Sequence, residues 1–459
     1  MAGDALFDKL PEQPAPRREA AGEARLREPQ RDQLEWRSVD IDSLIGTDHV
    51  ARTIWAYVEG LDLRDLENAI KSREGTSGHP AISPRLLLAL WLFATSQGVG
   101  SARALYRLCE SHDAYRWLCG GVSVNYHTLS DFRVDHPDLL DRLLKENVAA
   151  LAHAGIIDLS TLAQDGVRVR ASAGAASFRR DETLAEHEVE ARELVEKLKR
   201  ELHDDPAASD QRIRAARERA ARERVEQITA ARQACVEIAK KRGQRNNNGK
   251  ASDKKPPRAS TTDPQARVMK MADGGFRPAY NVQVASVAGE QIVVAIDPST
   301  SGSDRGLMRP MLEQVQASTG KLPEHYLADG GFGSAKDIEW AHAEGVTVYC
   351  PPTQSKHGTD PFAPRDKDGP GVAAWRKRMA SEQGKSKYKE RGICECIHAR
   401  WRNWDLVRLT VRGLEKVRAA VLLHALCNNV LQGYRMARTS KLLHALAINV
   451  LQGHRLGAA

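Results

Sequence analysis

The stretch Gln164-Asp165-Gly166-Val167-Arg168-Val169 marks the point at which the apolar pattern of the chain changes. Before it, apolar residues recur at helical spacing, whereas within it they alternate with polar ones, as in a β-strand with two different faces. We therefore predict a strand around Asp165, and the elements on either side of that strand decide the fold class.

After this strand the pattern alternates between strand and helix. Strands are predicted near 278–286, 291–296 and 346–350 and at a segment ending at Asp329; helices are predicted at 303–318, at 335–344 and from about 371 onward. This order resembles the plan of a ribonuclease-H-like domain, a mixed sheet flanked by helices. The predicted class is α/β (α+β), with the ribonuclease-H-like domain over residues 152–435.

Two charged helical segments interrupt that domain over residues 184–241. Each carries an apolar stripe at steps of three, four or seven residues: Ala191, Val195, Leu198 and Leu202 in the first, and Ala221, Val225, Ile228 and Cys235 in the second. The stripes predict an inserted antiparallel helical hairpin, and a solvated spacer is the favoured interpretation. Residues 242–270 form a predicted basic linker, which either follows a phosphate backbone or merely keeps the linker soluble.

The N-terminal part divides into a predicted disordered tail at 1–40 and an all-helical domain at 41–151. Ser83-Pro84 and Ser101 are helix-start signals on either side of a short glycine-containing break. The second helix would carry Arg103 and Arg107 into a DNA groove if the pair is a helix-turn-helix. A helical hairpin packed for stability fits the same pattern, and the sequence leaves both interpretations open.

The amino-acid composition constrains the partners and the location of the protein only weakly. The 459 residues include 68 Lys and Arg against 60 Asp and Glu, which gives a formal charge of +8 and favours polyanionic partners without identifying one. The seven cysteines form no C-x-x-C pair of the kind zinc sites use. The first forty residues lack the apolar core of a signal peptide, and no apolar run is long enough for a membrane span. We expect a reduced, cytoplasmic chain.

Two acidic residues lie where a sheet would present ligands. Asp165 belongs to the first predicted strand and Asp329 ends a later one, and a glycine follows each. Phosphodiester cleavage and transfer can use two divalent ions about 4 Å apart, which are held by carboxylates from separate elements. A glycine after each aspartate would let backbone and DNA approach closely. Asp-Gly is also a common turn signal, so this pair alone decides little.

A third acidic residue lies in Tyr388-Lys-Glu-Arg391-Gly-Ile-Cys-Glu395-Cys-Ile-His-Ala-Arg-Trp-Arg402. On a single helix, Tyr388, Arg391, Glu395 and Arg402 would share one face. Such a polar stripe makes sense if Glu395 binds metal while the cations and the hydroxyl hold DNA phosphates. The alternative is a solvated face with internal ion pairs.

This tetrad resembles the Y-x2-R-x3-E-x6-K signature of acidic-triad (DDE) insertion-sequence transposases, with Arg402 in place of the usual lysine. Other segments of the sequence are similar to that family as well, namely Asp263 to Arg267, Tyr280-Asn-Val-Gln283, Ala328 to Phe332 and Val411 to Val417. The helical region from about Ile41 to Arg133 resembles the domain that precedes the catalytic domain in those proteins.

The resemblance implies that the chain binds the terminal inverted repeats of a mobile element, cuts there and joins the 3′ ends to target DNA. Asp165, Asp329 and Glu395 would be the catalytic triad and the ligands of Mg²⁺ or Mn²⁺. Arg391 and Arg402 would grip phosphates near the cut, and Tyr388 would pack against the DNA end. A homodimer on DNA and a nucleoid-associated location follow from the same comparison.

One departure concerns the C-terminus. Residues 422–435 recur almost unchanged as 442–455, so that 436–459 forms a predicted duplicated helix. The duplication leaves a second hypothesis, a catalytically decayed DNA-binding regulator of the same element. A metal-dependent nuclease of host defence would use the same carboxylates and is a third.

Overall fold

The computed structural model describes residues 38, 40–73, 75, 79–204, 211–245, 256–353 and 360–439. The predicted tail at 1–40 and the second copy of the C-terminal repeat lie almost wholly outside the described residues, as do residues 246–255 of the basic linker predicted at 242–270. The rest of that linker is described and contains two short strands, Ala259–Ser260 and Arg267–Lys270, so the linker prediction was wrong there.

The chain begins with a set of short helices packed around one buried helix. They are α1 (Val50–Glu59), α2 (Arg64–Ala69), α3 (Pro84–Ser96), α4 (Ala102–Ser111), α5 (Asp113–Cys119), α6 (Tyr126–Asp135) and α7 (Pro137–His153). Every residue of α3 from Leu86 to Thr95 is buried, which makes it the centre of this region. Both predicted helix starts are confirmed: Pro84 opens α3, and the Ser101 hydroxyl accepts from the Ala104 amide at the start of α4.

Two long helices follow the N-terminal helices and form a hairpin. Strand β1 (Thr161–Arg170) and the short strand β2 (Phe178–Arg179) precede α8 (Asp181–Asp204) and α9 (Gln211–Arg245). Glu188 of α8 accepts from Arg232 and Thr229 of α9, and Glu201 accepts from Arg214, so the two helices run antiparallel. Their shared core contains residues of both predicted stripes, among them Ala191, Ile228 and Cys235.

Past the hairpin, strands and helices alternate much as predicted. They are β3 (Ala259–Ser260), β4 (Arg267–Lys270), β5 (Phe276–Val287), β6 (Val293–Ser299), α10 (Met308–Thr319), β7 (His325–Ala328), α11 (Ala335–Ala343), β8 (Thr347–Tyr349), α12 (Pro370–Ala380), α13 (Glu382–Lys389), α14 (Ile393–Asn403) and α15 (Leu414–Thr439). The helix predicted from Ser303 begins five residues later, because side chains of 301–304 hold that segment in turns.

The main sheet is mixed. Its order is β4-β5-β1-β7-β8, and β6 also pairs with β5. β1 runs antiparallel to β5 and parallel to β7, which in turn runs parallel to β8. β5 pairs with β1 through most of its length, from Ala279 to Val287. In contrast, β7 pairs with β1 only from Thr161 to Gln164.

This difference leaves one side of β1 open. Among the described residues, β1 has no strand partner on the β7 side from Asp165 until Arg170, which forms an isolated bridge with Arg408. We call residues 165–169 of β1 the open edge. A strand edge that lies between two loops and lacks a neighbour can receive a ligand without disturbing the sheet.

Helix α15 joins the N-terminal helices to the sheet. It packs against α1, α3, α6 and α7 on one side and against β6 on the other. Asn429 is fully buried, donates to the Val293 carbonyl at 2.7 Å and accepts from the Val293 amide at 2.8 Å. The Asn429 side chain therefore substitutes for a neighbouring strand at this point of β6, and the helices and the sheet share one core.

We predict that Asn429→Leu lowers the free energy of unfolding by about 2–4 kcal/mol, because it leaves the buried N–H and C=O of Val293 unpaired. The measurement is urea unfolding followed by circular dichroism. Asn403→Leu, at an exposed position of α14, is the control and should change stability by less than about 0.5 kcal/mol. Equal midpoints for both variants would show that the two hydrogen bonds between Asn429 and Val293 contribute nothing to stability.

Candidate active site

Asp165 lies at the start of the open edge, on the face of β1 that packs against α14. Its Oδ1 accepts from the Gly166 amide at 2.9 Å, and its Oδ2 lies 3.4 Å from His398 Nδ1 and 3.5 Å from Arg391 Nη1. Burial raises the pKa of Asp165, but the hydrogen bond and charge of His398 and the charge of Arg391 outweigh it, and the net pKa is lowered. Asp165 is therefore held as a carboxylate.

Asp329 follows β7 directly and is exposed. Its Oδ1 accepts from the Gly330 amide at 2.8 Å, and the Tyr388 hydroxyl donates to the same oxygen at 3.5 Å. A Cβ on Gly330 would lie 3.0 Å from the Pro351 carbonyl oxygen, so glycine fits this tight turn best. β7 runs parallel beside β1, which brings Asp329 to the end of the sheet where Asp165 lies.

The tetrad does not occupy one helix, so the prediction of a single helical face was wrong. Tyr388 is in α13, Arg391 is in the tight turn Glu390–Gly392, and Glu395 and Arg402 are in α14. The turn winds the chain locally at about three residues per turn, so the helical spacing of 3.6 residues is not kept between α13 and α14. Gly392, which has low helix propensity, stands at the junction.

Arg391 connects the three acidic residues. Its Nη1 lies 3.5 Å from Asp165 and its Nη2 lies 3.3 Å from Glu395 Oε1, while its guanidinium lies 5.7 Å from the centre of the Tyr388 ring. Burial lowers the pKa of Arg391, but Asp165, Tyr388 and Asp329 reverse the effect and raise it. Asp165, Asp329 and Glu395 thus surround a single positive charge.

The carboxylates lie around the arginine and not around a common point. Within the described ranges, no group of three or more His, Cys, Asp or Glu side chains is close enough to hold a metal ion as it stands. The donor types nevertheless suit a hard divalent ion, since all three predicted ligands offer carboxylate oxygens and Glu395 is 65% exposed.

The other predicted residues lie apart from this group. Arg402 is exposed two turns beyond Glu395, and its Nε donates to the His398 carbonyl at 3.3 Å. Arg103 and Arg107 are exposed on α4, where Arg103 lies over the ring of Tyr126 at 5.2 Å. No contact joins these two arginines to the acidic residues in the part of the chain that the structure describes.

A second polar layer, which the sequence pattern did not predict, lies on the opposite face of β1. The Asp304 Oδ1 accepts from Asn281 at 2.7 Å and from Gln283 at 3.0 Å, and its Oδ2 lies 3.3 Å from Arg168. Alternation along β5 puts Asn281 and Gln283 on one face, which was a usable signal. Asp304 comes from a loop, and its position depends on pairing that local pattern does not encode.

This layer explains the glycine after Asp165. A Cβ on Gly166 would lie 2.7 Å from Asp304 Oδ1 and 2.9 Å from Asn281 Oδ1, and closer still to the Gln283 amide. The absence of a side chain lets these three polar groups close over the strand. They fix the backbone of β1 directly beside Asp165.

His398 is the other missed residue. It is buried on α14 one turn after Glu395, and its Nδ1 faces Asp165. The spacing of three residues from Glu395 was the only sequence signal, and it did not separate a site residue from a core histidine. Its Nε2 has no hydrogen-bond partner among the described residues.

Two family models match the chain. Residues 250–430 match the transposase DDE domain, and residues 39–135 match a transposase domain (DUF772). The first match includes Asp329, Glu395 and Arg402, whereas Asp165 and the inserted hairpin lie between the two matches. No curated protein and no solved structure matches the chain. No helix in the described ranges is long and apolar enough to cross a membrane.

A mixed α/β fold whose sheet end carries acidic residues, together with two transposase matches, defines a DNA-processing protein of the polynucleotidyl-transferase class. Within that class, the chain belongs to the insertion-sequence DDE transposases. Its substrate class is DNA, and the recognition of the family from the sequence is confirmed, whereas the roles of the individual tetrad residues stay predictions.

We predict that Gly166→Ala lowers the free energy of unfolding by about 1–3 kcal/mol, because the added methyl must displace the closed polar layer. Gly289→Ala is the matched control, since nothing lies within 4 Å of a Cβ there and its backbone is not left-handed. Urea unfolding of both variants checks the prediction. Equal stabilities would mean that the layer yields without cost.

Proposed function

We propose that this chain is an active transposase that binds the terminal inverted repeats of an insertion sequence, cuts the DNA there and joins the freed 3′ ends to target DNA. The observation that carries the proposal is the convergence of Asp165, Asp329 and Glu395 on Arg391 at the open edge of β1. Carboxylates from three separate elements lie around this one arginine, and carboxylates are the ligands that metal-dependent phosphodiester chemistry uses.

We further propose a ribonuclease-H-like catalytic domain at 152–435, with the hairpin inserted into it, and a helical DNA-binding domain at 41–151. The strand order supports the first part: β6 and β1 flank the antiparallel β5, and β7 and β8 continue in parallel beyond β1. Exposed Arg103 and Arg107 support DNA contact by α4. A dimer on DNA would bring two element ends together.

The proposed cofactor is Mg²⁺ or Mn²⁺, held by Asp165, Asp329 and Glu395. When bound, such ions supply an activated oxygen nucleophile and neutralise charge on the leaving oxygen. Oxygen-only donors favour hard ions over zinc.

The protein's own side chains prepare the site. His398 and the Gly166 amide orient the Asp165 carboxylate, and the Tyr388 hydroxyl and the Gly330 amide orient that of Asp329. Arg391 reduces the repulsion between the acidic groups and offers donors to a phosphate in the cleft. Arg402 occupies the position of the lysine in the family signature. Its planar guanidinium is exposed and would contact a second phosphate.

We expect Glu395→Gln to abolish DNA cleavage, a loss of at least about a hundredfold, because an amide cannot replace a charged ligand. The assay uses a labelled linear duplex carrying the genomic DNA that flanks the coding frame, with Mg²⁺ or Mn²⁺. Glu390→Gln is the matched control, because Glu390 is exposed and, among the described residues, its ion pair is with Lys387 at the surface.

Cleavage at the element boundary by the native chain and by Glu390→Gln, but not by Glu395→Gln, supports the proposal. Specific binding by all three proteins without any cleavage would refute an active enzyme and would favour the second hypothesis, a catalytically decayed DNA-binding regulator. Cleavage at arbitrary sequences would favour a nuclease.

We also expect His398→Leu to lower the cleavage rate about 10–100-fold and to raise the Mg²⁺ concentration needed for half-maximal rate, because Asp165 loses a group that orients it. His398→Asn keeps a donor near the Nδ1 position and should recover part of the loss. If the two variants have the same metal dependence, His398 acts only in packing.

A further inference from the structure

Three exposed arginines gather where β1 ends. Arg170 forms an isolated parallel bridge with Arg408: its amide donates to the Val407 carbonyl at 3.2 Å, and its carbonyl accepts from the Leu409 amide at 2.8 Å. Arg412 is held against the next residues of the chain, because its Nε donates to the Ser172 carbonyl at 3.2 Å. We call Arg170, Arg408 and Arg412 the arginine patch.

The arginines of the patch are not ion-paired in the described part of the chain, although Asp405 lines the same cavity as Arg408. Within the described ranges, none of its three arginines forms an ion pair with Asp or Glu, whereas exposed arginines elsewhere do, such as Arg116 with Asp113 and Arg309 with Glu313. Like charges placed directly opposite each other in a bridge are destabilising. An arrangement that costs stability in the free protein is favoured when an anion binds across it.

A buried arginine lies beneath the patch. Arg133 of α6 is 8% exposed, donates to Thr410 Oγ1 at 3.1 Å and stacks on Trp91, while its Nε has no partner among the described residues. It lines a cavity of about 40 Å³ together with Arg408 and Thr410. Burial lowers the pKa of Arg133 to about 10, so it stays charged at neutral pH and adds to the positive potential.

The open edge connects the patch to the proposed catalytic site. Asp165 stands at one end of this edge and Arg170 just past the other, five residues along an extended strand, which spans about 17 Å. Successive phosphates along one DNA strand advance by about 3.4 Å along the helix axis. A duplex laid along the open edge would therefore reach the patch about five base pairs from Asp165.

We propose that the arginine patch binds the phosphate backbone of duplex DNA about five base pairs from the cleavage point. The inference rests on the proposed function, which places the cut at Asp165. Arginine forks pair with phosphate in two-pronged geometry, and phosphate contacts position DNA without selecting sequence. The patch therefore sets the angle and register at which the DNA enters the site, and the bases are recognised elsewhere.

The test is DNA binding as a function of salt, in EDTA so that no cleavage occurs. The probe is a 40-base-pair duplex centred on the element boundary. For Arg408→Gln with Arg412→Gln, the slope of log affinity against log salt should fall by about 2, because about 0.9 is lost for each phosphate contact removed. Affinity at low salt should fall by about tenfold or more.

The matched control is Arg192→Gln with Arg309→Gln, which removes the same charge from exposed, ion-paired positions outside the proposed DNA-binding domain and should leave the slope unchanged. A duplex cut back to about three base pairs from the boundary on each side ends short of the patch, so the native chain and the patch variant should bind it equally. Unfolding midpoints in urea check that both double variants are folded.

An unchanged slope for the folded patch variant overturns the inference, and so does a control that loses as much as the patch variant. Cleavage by the native chain in Mg²⁺ reports separately on the proposed function. If binding depends on the patch but no cleavage occurs, the DNA-binding role of the patch stands and the active enzyme is refuted. If cleavage occurs but binding does not depend on the patch, the active enzyme stands and the role of the patch is refuted.

Discussion

The unequal pairing of β1 with its two neighbours governs this structure. β5 covers one side of β1 along nearly its whole length, while β7 stops after Gln164. The continuous ladder on one side holds the strand rigid, and the missing ladder on the other leaves a gap in the sheet at Asp165. The carboxylates, the turn that carries Arg391 and the arginine-bearing loop after α14 all border that gap. A ligand could enter there without breaking a single hydrogen bond of the sheet.

Electrostatics at the gap depend on Arg391. Carboxylates brought close together in a partly buried site repel each other unless a cation lies between them. The guanidinium supplies that charge through contacts of 3.3 and 3.5 Å, which are long for tight ion pairs. Contacts of this length neutralise the acids while leaving donors available. His398 lies 3.4 Å from Asp165 and the Tyr388 hydroxyl 3.5 Å from Asp329, so contacts of similar length reach the two aspartates from other side chains.

Much of this arrangement could be predicted from local pattern. The strand at Asp165, the hairpin and the glycine-flanked aspartates follow from alternation, helical stripes and turn chemistry. The prediction of a single helix over Tyr388 to Arg402 was wrong, because the spacing of these residues does not reveal a turn of three residues per turn inside a helical segment. Asp304 and His398 escaped prediction because their partners lie far away in sequence. Gly166 was recognised, but the groups that require it to be glycine are Asn281, Gln283 and Asp304, which close over it from distant segments.

The packing of α15 between the N-terminal helices and β6 has a consequence for damaged copies of the gene. Because this last described helix completes the core of the N-terminal helices and also satisfies the backbone of β6, neither half of the protein is finished without it. A reading frame that stops before Leu414 would yield a chain with a large apolar surface and unpaired strand groups, a substrate for proteases. Loss of the 3′ end of the gene would thus remove the protein itself, because the truncated product could not persist as a folded chain.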